Sequence, residues 1–582
     1  MRFKNFSLKK PGINFPHSAR AKKKVWYALG AFILLLFLWG ISALGAFRPF
    51  LFNIPQITGW PGTERTYLLL FQNNTELRPT GGFITAYALL NFKNGIPSGL
   101  SFYDVYSQID DHPYVSPPYP LDVLLEKDSK TYNGHSFRDA NFNPDFTVAK
   151  DDILQFFHLT YPDINPNGMF AINFSVLEDL VNLYGPFKIG KQELTKENLF
   201  ESLENNVSDI DRHNVNALNT RKDIIKEFGQ IVLRKMVLNP WKWRSLSELL
   251  VQELNHKDIL LVFENKFLAK KIAQKNWDGH WPINDARHKI DRLIVNIANY
   301  GGMKSDRYLT HEVHYTIEIT NRKDQDGKPL VYGDLEINLR HLGGYNTPLS
   351  GDYTGYLRVF LPPGTSLIES LSGQSGDVSL NGYAGWGDFI TLHPGEQQTF
   401  KYRFKLNADY FLNDAYVLNI IKQPGTLNDF YDVNIKAPLG KKISGNQWEN
   451  HENVAFYRGF LNQDLELELK FSEDEFGPRL FDQKNAALNI ITLSFAESLD
   501  TSGATDPLNY QIADLDVNEP GITDSLIIDF IEVDEGTIRI YTKGMTIQPE
   551  EHFSVSMRNI RDRNGNYINP NPRAVTVVQR LE

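Results

Sequence analysis

The segment Phe71-Gln-Asn-Asn-Thr-Glu-Leu-Arg78-Pro-Thr-Gly81-Gly82-Phe83 directly follows the apolar run Tyr67-Leu-Leu-Leu70. The run predicts a buried strand over Tyr67–Phe71, and the apolar pattern after the segment predicts a second strand over Phe83–Leu90. The two glycines fit a turn between them, because only glycine reaches positive φ freely. A turn does not also require two asparagines, a glutamate and an arginine. The segment is therefore either a polar hairpin loop with a structural Glu76–Arg78 pair or the edge of a binding site.

The N-terminus combines a basic tail with a long uncharged run. Residues 1–24 contain eight lysines and arginines and no acid, and residues 25–47 contain no charged side chain. A run of about 20 apolar residues can cross a bilayer as a helix, and a basic flank stays on the cytoplasmic side. We therefore expect a single transmembrane helix at 25–47, a cytoplasmic tail at 1–24 and the rest of the chain outside the cell membrane. The alternative is a signal peptide cleaved near Ala46, but the long basic region favours an uncleaved anchor.

Composition and charge exclude some classes of partner and some kinds of site. The chain of 582 residues has a formal net charge of −10 and no cysteine. Without the eight basic residues of the tail, 52 basic and 70 acidic residues remain, which gives −18. An acidic exterior argues against nucleic acid as a partner. The lack of cysteine excludes disulfides and thiolate metal sites, so the large extracytoplasmic part has to be stabilised by its own core.

Hydrophobic periodicity divides the rest of the chain into regions of different structure. Strand and helix patterns alternate at first, and after Lys289 the period changes to two. We expect a multidomain α+β protein with one N-terminal transmembrane helix. The regions expected after that helix are a stalk at 48–60, an α/β domain at 61–290 with a helical region at 196–275, a β-rich domain at 291–471, an acidic linker at 472–479 and a β-sandwich at 480–582.

Further motifs follow the opening segment in a fixed order. They are Arg138-Asp-Ala-Asn-Phe-Asn-Pro-Asp145-Phe, Gly168-Met-Phe-Ala-Ile-Asn-Phe, Tyr184-Gly-Pro-Phe, Leu194-Thr-Lys-Glu-Asn198, Asn299-Tyr-Gly-Gly-Met-Lys304 and Leu361-Pro-Pro-Gly-Thr365. With the opening segment, they resemble the signature of the DUF4012 family, a group of bacterial membrane-anchored proteins of unknown function. The resemblance extends over residues 60–410. It implies membrane anchoring and supplies no activity.

The C-terminal region has short strand patterns at regular spacing, separated by turns. Its distinctive segments are Ile491-Thr-Leu-Ser-Phe-Ala-Glu-Ser-Leu-Asp500, Phe553-Ser-Val-Ser-Met and Ile560-Arg-Asp-Arg-Asn-Gly565-Asn566. They resemble bacterial Ig-like domains of the SbsA type, which occur in surface-layer proteins. The resemblance implies an Ig-like β-sandwich that spaces or presents other domains.

Polar residues of the opening segment and of the loop-rich stretch after it form the candidate ligand-binding site. They are Asn73, Asn74, Glu76, Arg78, Thr80, Gly81, Gly82, Asp104, Asp110, Arg138 and Asp139. If the strands at Phe83–Leu90 and Leu100–Tyr106 pair, these groups meet at one end of a sheet, where arginine can bind phosphate and aspartate can hold a divalent cation. The structural alternative is that Asp145 and Ser175 cap helices while Arg138 and Asp139 pair locally.

These observations favour a membrane-anchored cell-envelope protein that binds or scaffolds an envelope glycan, a lipid-linked ligand or a protein, without a cofactor. The order of strand, arginine, strand, aspartate, loop and helix is also similar to the LytR-CpsA-Psr phosphotransferases. That resemblance implies transfer of lipid-pyrophosphate-linked glycopolymers, with a divalent cation in the site. The Arg-Ser-Asp-Thr type of motif of those enzymes is missing here. Catalysis is therefore the alternative, and no catalytic residue is assigned.

Overall fold

The computed structural model describes residues 47, 50 and 52–579, outside gaps at 106–108, 110–111, 126–133, 190–191, 203–226, 228, 233, 283–288, 302, 372–375, 439, 452, 488, 516–525 and 544–551. The predicted tail at 1–24 lies outside the described residues. So does the predicted transmembrane helix at 25–47, apart from Phe47. Among the described residues, no helix is both long enough and apolar enough to cross a membrane.

The described structure is mostly β, with 46% strand and 22% helix. The expected α+β fold with an α/β domain is therefore wrong. Short turns rather than crossover helices connect most consecutive strands, and such connections produce antiparallel pairs. The chain consists of two compact units, Met1–His280 and Trp281–Glu582.

The first unit contains seven strands and six helices with defined bounds among its described residues, and residues 199–202, 229–232 and 234–238 are also helical. The strands are β1 (Glu64–Arg78), β2 (Gly81–Lys93), β3 (Ile96–Asp104), β4 (Gly168–Asn173), β5 (Phe187–Ile189), β6 (Gln192–Leu194) and β7 (Ile259–Phe263). The helices are α1 (Ile54–Thr58), α2 (Leu121–Leu125), α3 (Phe146–Thr160), α4 (Phe174–Tyr184), α5 (Trp243–Asn255) and α6 (Lys266–Ala273). The main sheet has the order β3–β2–β1–β4–β7, and only β1 and β4 pair in parallel.

The opening segment forms the end of a long hairpin rather than a loop. Strand β1 continues to Arg78, and Arg78 pairs with Gly81 across a turn of two residues, Pro79 and Thr80. The pairing register shifts after Phe71 and again between Asn73 and Leu77, which are β-bulges. Bulges re-aim side chains while the strand continues. The polar residues of the segment therefore stay on a paired strand.

Helices cover the sheet with apolar faces, and their first residues are set by local capping. Asp145 is the N-cap of α3, and its carboxylate accepts a hydrogen bond from the Thr147 amide at 2.9 Å. The predicted cap at Asp145 is therefore confirmed. The predicted cap at Ser175 is wrong, because α4 begins at Phe174 with Asn173 as its N-cap. Ser175 instead donates its hydroxyl to Asp258 at 3.0 Å.

The region expected to be helical at 196–275 contains a strand. Strand β7 lies between α5 and α6 and pairs with β4 at the edge of the sheet. Its sequence, Ile259-Leu-Leu-Val-Phe263, is a short continuous apolar run. Periodicity does not distinguish such a run from a buried helical turn. Pairing with β4 decides the structure here.

The second unit is almost entirely strands among its described residues, with one short helix, α7 (Thr501–Ala504). The strands are β8 (Asp291–Asn299), β9 (Leu309–Lys323), β10 (Pro329–His341), β11 (Tyr353–Leu361), β12 (Ser366–Ser370), β13 (Gly376–Asp377), β14 (Ala384–Leu392), β15 (Gln397–Lys405), β16 (Ala415–Ile421), β17 (Asp429–Lys436), β18 (Lys441–Ser444), β19 (Glu449–His451), β20 (Val454–Phe460), β21 (Leu465–Glu473), β22 (Leu480–Ala487), β23 (Ile490–Phe495), β24 (Tyr510–Asp514), β25 (Ile527–Asp534), β26 (Thr537–Lys543), β27 (His552–Met557) and β28 (Arg573–Gln579).

Two seven-stranded sheets form the first part of this unit. Their orders are β12–β15–β10–β9–β17–β20–β19 and β13–β14–β11–β8–β16–β21–β18. Side chains of β14 and β15 join them: the Tyr402 hydroxyl donates to Asp388 at 2.5 Å, and the rings of Trp386 and Phe404 lie 4.9 Å apart. Alternate residues of β9 and β10 are buried, as a half-buried sheet requires.

The C-terminal strands form a third seven-stranded arrangement, β24–β27–β28–β22–β23–β26–β25. Its core includes Ile491, Leu493, Ile540 and Val555, which are fully buried. The sequence predicts an all-β region here, and the described residues of the region are mostly strand, with the short helix α7 among them. The finer prediction of an Ig-like sandwich is not confirmed by the strand order or by the comparisons given below.

Candidate functional site

The turn between β1 and β2 lies against a short segment that precedes α3. The Asn141 amide nitrogen donates to the Gly82 carbonyl at 2.9 Å, and Arg78 reaches Asp139. We call the buried polar residues around this contact the polar corner. They are Gln72, Asn73, Arg78, Thr80, Gly81, Gly82, Ser136, Arg138, Asp139, Asn141 and Asn173.

A buried ion pair forms the centre of the polar corner. Arg78 Nε donates to Asp139 Oδ1 at 2.9 Å, and Arg78 Nη1 donates to the Leu77 carbonyl at 3.4 Å. The guanidinium also lies over the Phe83 ring, 5.1 Å from its centroid. Arg138 is farther from the carboxylate, with Nε 3.9 Å from Asp139 Oδ2, and it donates to Ser136 Oγ at 3.1 Å. Both guanidinium groups are therefore already engaged by the protein.

The two glycines of the turn are required by close packing. A Cβ at Gly82 would lie 2.1 Å from the Asn73 backbone carbonyl carbon. At Gly81, which has a φ of +133°, a Cβ would lie 2.3 Å from Gln72 Oε1 and 2.6 Å from Asn173 Oδ1. Any side chain here would displace the polar groups that surround the turn. Because these residues have no side chain, the backbone of the turn can approach the amide side chains of Gln72 and Asn173.

Several polar atoms around this turn have no hydrogen-bond partner among the described residues. They are Gln72 Nε2, Thr80 Oγ1, Asp139 Oδ2, Asn141 Oδ1 and Asn173 Oδ1. Each belongs to a residue that is 3% exposed or less. A buried polar group without a partner costs about 1–3 kcal/mol, so such groups are rare and usually have a function or bind water. Five of them around one turn indicate a place where hydrogen-bonding capacity is not filled by the protein itself.

Histidines and aromatic rings border the polar corner. His112 and His135 both pack on Phe156, with ring centroids at 5.2 and 5.0 Å. Burial lowers the pKa of His135, although the charge of Asp139 acts in the opposite direction. The His135 imidazole is therefore neutral near pH 7. The His135 amide donates to the Val115 carbonyl at 2.8 Å, which places the exposed ring of Tyr114 near this border.

Some predicted site residues lie in the polar corner and others do not. Asn73 accepts hydrogen bonds from Thr75 and so shapes the bulge in β1. Asn74 Oδ1 accepts from the Ser175 amide at 3.4 Å, and Glu76 is buried in the same strand. Asp104 is the last residue of β3 and is 1% exposed, two strands away from β1 in the sheet order. Asp110 lies outside the described residues.

Four residues of the polar corner were not predicted from the sequence, namely Gln72, Ser136, Asn141 and Asn173. Asn173 also connects the polar corner to the next turn, because its Nδ2 donates to Asp258 Oδ1 at 3.1 Å. Gln72, Asn141 and Asn173 all stood within quoted segments: Gln72 in the opening segment, Asn141 after Arg138 and Asn173 in the Gly168 motif. The available signal for Gln72 was an amide directly after the predicted strand Tyr67–Phe71, where it can face the ends of neighbouring strands.

The second unit contains one further group that could hold a cation. Carboxylate oxygens of Asp474, Glu497 and Asp562 all lie within 4.8 Å of one another. Glu497 and Asp562 border a cavity of about 650 Å³ whose lining also includes Arg479 and Arg563. Lys442 Nζ is 2.5 Å from Asp474 and already supplies a positive charge to the cluster. The sequence analysis did not single out these residues.

The N-terminal unit contains the segment that matches a known family. Residues 63–207 match the family described as "Protein of unknown function (DUF4012)", so the predicted family resemblance is supported over that range. The match includes the whole of β1 to β4, the polar corner and α3 and α4. The membrane anchor implied by the resemblance is not part of this match. No curated protein matches the chain significantly.

Solved structures show only weak likenesses. The N-terminal part of the bacterial S-layer protein SbsC is 16% identical, with a TM-score of 0.15, and the match covers 18% of this chain and 23% of that one. A putative nutrient binding protein from Legionella pneumophila is 11% identical, with a TM-score of 0.19 and coverage of 28% and 67%. An M1 zinc metallopeptidase from Deinococcus radiodurans is 10% identical, with a TM-score of 0.16 and coverage of 32% and 46%. Scores this low carry no argument about function.

Proposed function

We propose that the chain is a binding and scaffolding protein of the cell envelope. Its first unit binds a glycan of the envelope at the polar corner, and its second, all-β unit is the scaffold that presents or spaces the first. The protein acts outside the cytoplasm. The chain lacks cysteine, so it needs no oxidising or reducing compartment, and its acidic composition disfavours nucleic acid.

The observation that carries this proposal is the group of partnerless polar atoms around the turn. Three of the five are acceptors only, namely the second oxygen of Asp139 and the amide oxygens of Asn141 and Asn173. Thr80 adds a hydroxyl, which both donates and accepts. A ligand that fills them has to bring several O–H or N–H donors. Sugars carry many hydroxyl groups on a compact frame and meet that requirement.

The same geometry gives less support to the phosphotransferase alternative. Phosphate oxygens accept hydrogen bonds and require free donors, above all arginine forks. Arg78 directs its donors to Asp139 and a backbone carbonyl, and Arg138 donates to Ser136. A phosphate would have to displace Asp139 from Arg78, which costs a buried ion pair. A glycan requires no such exchange.

Burial of the polar corner has a kinetic consequence. Because its unpartnered groups are almost completely covered, a sugar reaches them only after local opening of the surrounding chain. Association that requires a conformational change is slower than the usual 10⁵–10⁷ M⁻¹s⁻¹. The exposed ring of Tyr114, which lies near this border, provides an amphipathic surface for the remainder of the glycan.

Two threonines in the same hairpin provide a matched test. Thr80 Oγ1 has no partner in the described structure, whereas Thr85 Oγ1 donates to the Phe71 carbonyl at 3.1 Å. Full-length protein is titrated calorimetrically with oligosaccharides from bacterial envelopes, either free or linked to lipid pyrophosphate. We expect free glycan to bind the wild type, with binding weakened about three- to tenfold in Thr80→Val, the value of one hydrogen bond. Binding to Thr85→Val should stay unchanged.

Two results would contradict the proposal. One is binding of glycan with equal affinity by wild type and Thr80→Val, which would place the ligand elsewhere. The other is binding of the pyrophosphate-linked form alone, with free glycan inert, which would favour the phosphotransferase alternative. If no oligosaccharide binds while the fold is intact, water alone occupies the polar corner and the glycan proposal is wrong.

A further inference from the structure

A turn before α5 exposes large apolar side chains next to basic ones. Val237 and Trp241 are 70% and 66% exposed, and Leu238 and Trp243 are also exposed. We call these four residues the tryptophan corner. Soluble surfaces expose single apolar side chains routinely, but a contiguous group of them indicates an interaction site.

The tryptophan corner is held in place by hydrogen bonds from two neighbouring lysines and from the ring nitrogen of one of its own tryptophans. Lys235 Nζ donates to the Pro186 carbonyl at 2.8 Å, and Lys242 Nζ donates to the Leu183 carbonyl at 2.7 Å. Both lysines thereby bind the C-terminal end of α4, where positive charge is favourable. The Trp243 ring nitrogen donates to the Met236 carbonyl at 2.9 Å. The turn is therefore ordered by polar contacts, and its apolar side chains are left outside the core.

Charge indicates which kind of partner fits this surface. Residues 228–247 contain four basic residues and no acidic one, although the whole chain has a net charge of −10. Arg234 and Arg244 are exposed on either side of the apolar group, and Arg244 pairs with Glu248, which lies just beyond this stretch, at 3.0 Å. A locally basic surface complements an anionic partner and opposes pairing with the same surface of a second copy.

The neighbouring chain indicates that this partner is lipid. Phe47 and Phe50 pack on the Trp277 ring, at 5.9 and 6.1 Å, and belong to the apolar cluster that also contacts Met236 and Leu249. Upstream of Phe47, residues 25–46 contain no charged side chain. The apolar cluster lies next to the tryptophan corner, and in sequence it directly follows this strongly apolar run. Such a run is more stable in lipid than in water.

We propose that the tryptophan corner lies in the headgroup region of an anionic lipid bilayer. Tryptophan is favoured at that depth, because its ring is apolar and its N–H is polar. Lysine and arginine next to it gain from the negative surface potential of anionic lipids. Such a contact would fix the orientation of the first unit on the membrane surface, in addition to any attachment through other segments.

The natural lack of cysteine makes a site-specific test direct. Leu238→Cys carries a water-sensitive fluorophore in the full-length protein, and Ser366→Cys, exposed on β12 of the second unit, carries the same label as the control. Both are mixed with phosphatidylcholine vesicles, with and without phosphatidylglycerol, that contain brominated acyl chains as quenchers. The label reports its own position, so attachment of the protein through another segment does not by itself produce the signal.

We expect quenching at 238 and not at 366, and only with phosphatidylglycerol. Adding Trp241→Ser should reduce it, and Arg234→Gln should weaken the contact about fivefold, the contribution of one cation near an anionic surface. Equal quenching at both positions, or at 238 in pure phosphatidylcholine, would overturn the proposal. So would a label at 238 that becomes shielded at high protein concentration without vesicles, because the surface would then bind a second copy.

Discussion

Each unit of the molecule buries an ion pair, and the surroundings of the two pairs differ. In the first unit, Arg78 and Asp139 are 2.9 Å apart, and in the second, His311 and Asp429 are 2.7 Å apart, with all four side chains 9% exposed or less. His311 and Asp429 are direct neighbours in the parallel ladder of β9 and β17. Arg78 and Asp139 join a hairpin to a short 3-10 turn outside the sheet.

The His311–Asp429 pair belongs to a buried core, whereas the Arg78–Asp139 pair borders the candidate site. The strand ladder fixes the His311–Asp429 pair, and apolar residues such as Val313 and Tyr431 follow it on the same buried face. Amide and hydroxyl groups without a hydrogen-bond partner among the described residues surround the Arg78–Asp139 pair instead. The arginine keeps its charge at every physiological pH, whereas the histidine pair can titrate. We therefore expect the first pair to respond to ligands and the second to pH.

The largest expected effect is that of Arg78→Ala. Removing one partner of a buried ion pair leaves an uncompensated charge and costs about 3–5 kcal/mol. Amide hydrogen exchange of β1 and β2, followed by mass spectrometry, measures this loss within the first unit. The double variant Arg78→Met with Asp139→Leu should recover much of the loss, because no unpaired charge then remains. Arg244→Ala is the control: its pair with Glu248 is exposed and contributes about 0–0.5 kcal/mol.

Gly82→Ala is expected to rank next. A Cβ at this position would overlap the Asn73 backbone, and overpacking of this kind costs about 1–3 kcal/mol. Gly99 in β3 is the matched control, because a Cβ there meets nothing closer than 3.6 Å. Protection of β1 and β2 amides should fall in Gly82→Ala and remain in Gly99→Ala. Equal protection in both variants would show that the turn is loosely packed and that its glycines are not required.

The pair in the second unit should produce a pH dependence that the first pair lacks. Burial opposes a charge on His311, but the hydrogen bond and charge of Asp429, with Asp306 in addition, raise the pKa of His311. Burial favours a neutral Asp429, but the charge of His311 lowers the pKa of that carboxyl. The histidine contribution is therefore complete below its unfolded pKa of about 6.5 and is lost as pH rises through the folded value. The aspartate contribution is lost only in acid, as pH falls through its lowered folded pKa.

His311→Gln tests this dependence. The glutamine keeps a donor for Asp429 but no titratable group, so stability near pH 6 should fall by about 1–3 kcal/mol, the value of a hydrogen bond to a charged group. The decline of stability above pH 6.5 should also disappear. Exchange of β9 and β17 amides across that range measures both quantities. A slope that persists in His311→Gln would assign the pH dependence to another group.

Asp145→Ala should have the smallest effect, about 0.5–2 kcal/mol, because it removes the side-chain N-cap of α3. Asp151, which is exposed on the same helix, is the control position, and Asp151→Ala should leave α3 close to wild type. The loss is measured as a decrease in hydrogen-exchange protection that is confined to the first turn of α3. An effect of Asp145→Ala as large as that of Arg78→Ala would mean that Asp145 has a further role in the polar corner.

The sequence predicted parts of the fold that depend on local pattern. The strands at Tyr67–Phe71 and Phe83–Leu90, the all-β C-terminal region and the Asp145 cap all follow from periodicity or capping chemistry. The extent of β1 did not, because bulges let polar residues that look like a loop continue the strand. Strand β7 was missed because pairing with a distant strand, and not its own pattern, sets its conformation.

The candidate site was predictable only in part, for a related reason. Arg78, Thr80 and the two glycines were recognisable because a turn does not need such residues together. Their partners Asp139 and Asn141 lie about 60 residues away in sequence, and contact between them depends on how α3 docks on the sheet. Asn173 joins the polar corner only because β4 pairs in parallel with β1. A single sequence contains no direct record of such long-range pairings.

Several hydrogen-bonding groups of the polar corner have no partner elsewhere in the described part of the protein, and the proposed function depends on this. Thr80→Val tests it without any ligand, since valine matches threonine in shape and removes only the hydroxyl. The measurement is the free energy of opening of β1 and β2, by hydrogen exchange, for wild type and Thr80→Val. Loss of an unpartnered buried hydroxyl should leave stability unchanged or raise it by about 1 kcal/mol. A decrease of about 1 kcal/mol or more would show that this hydroxyl already has a partner, and would contradict the account.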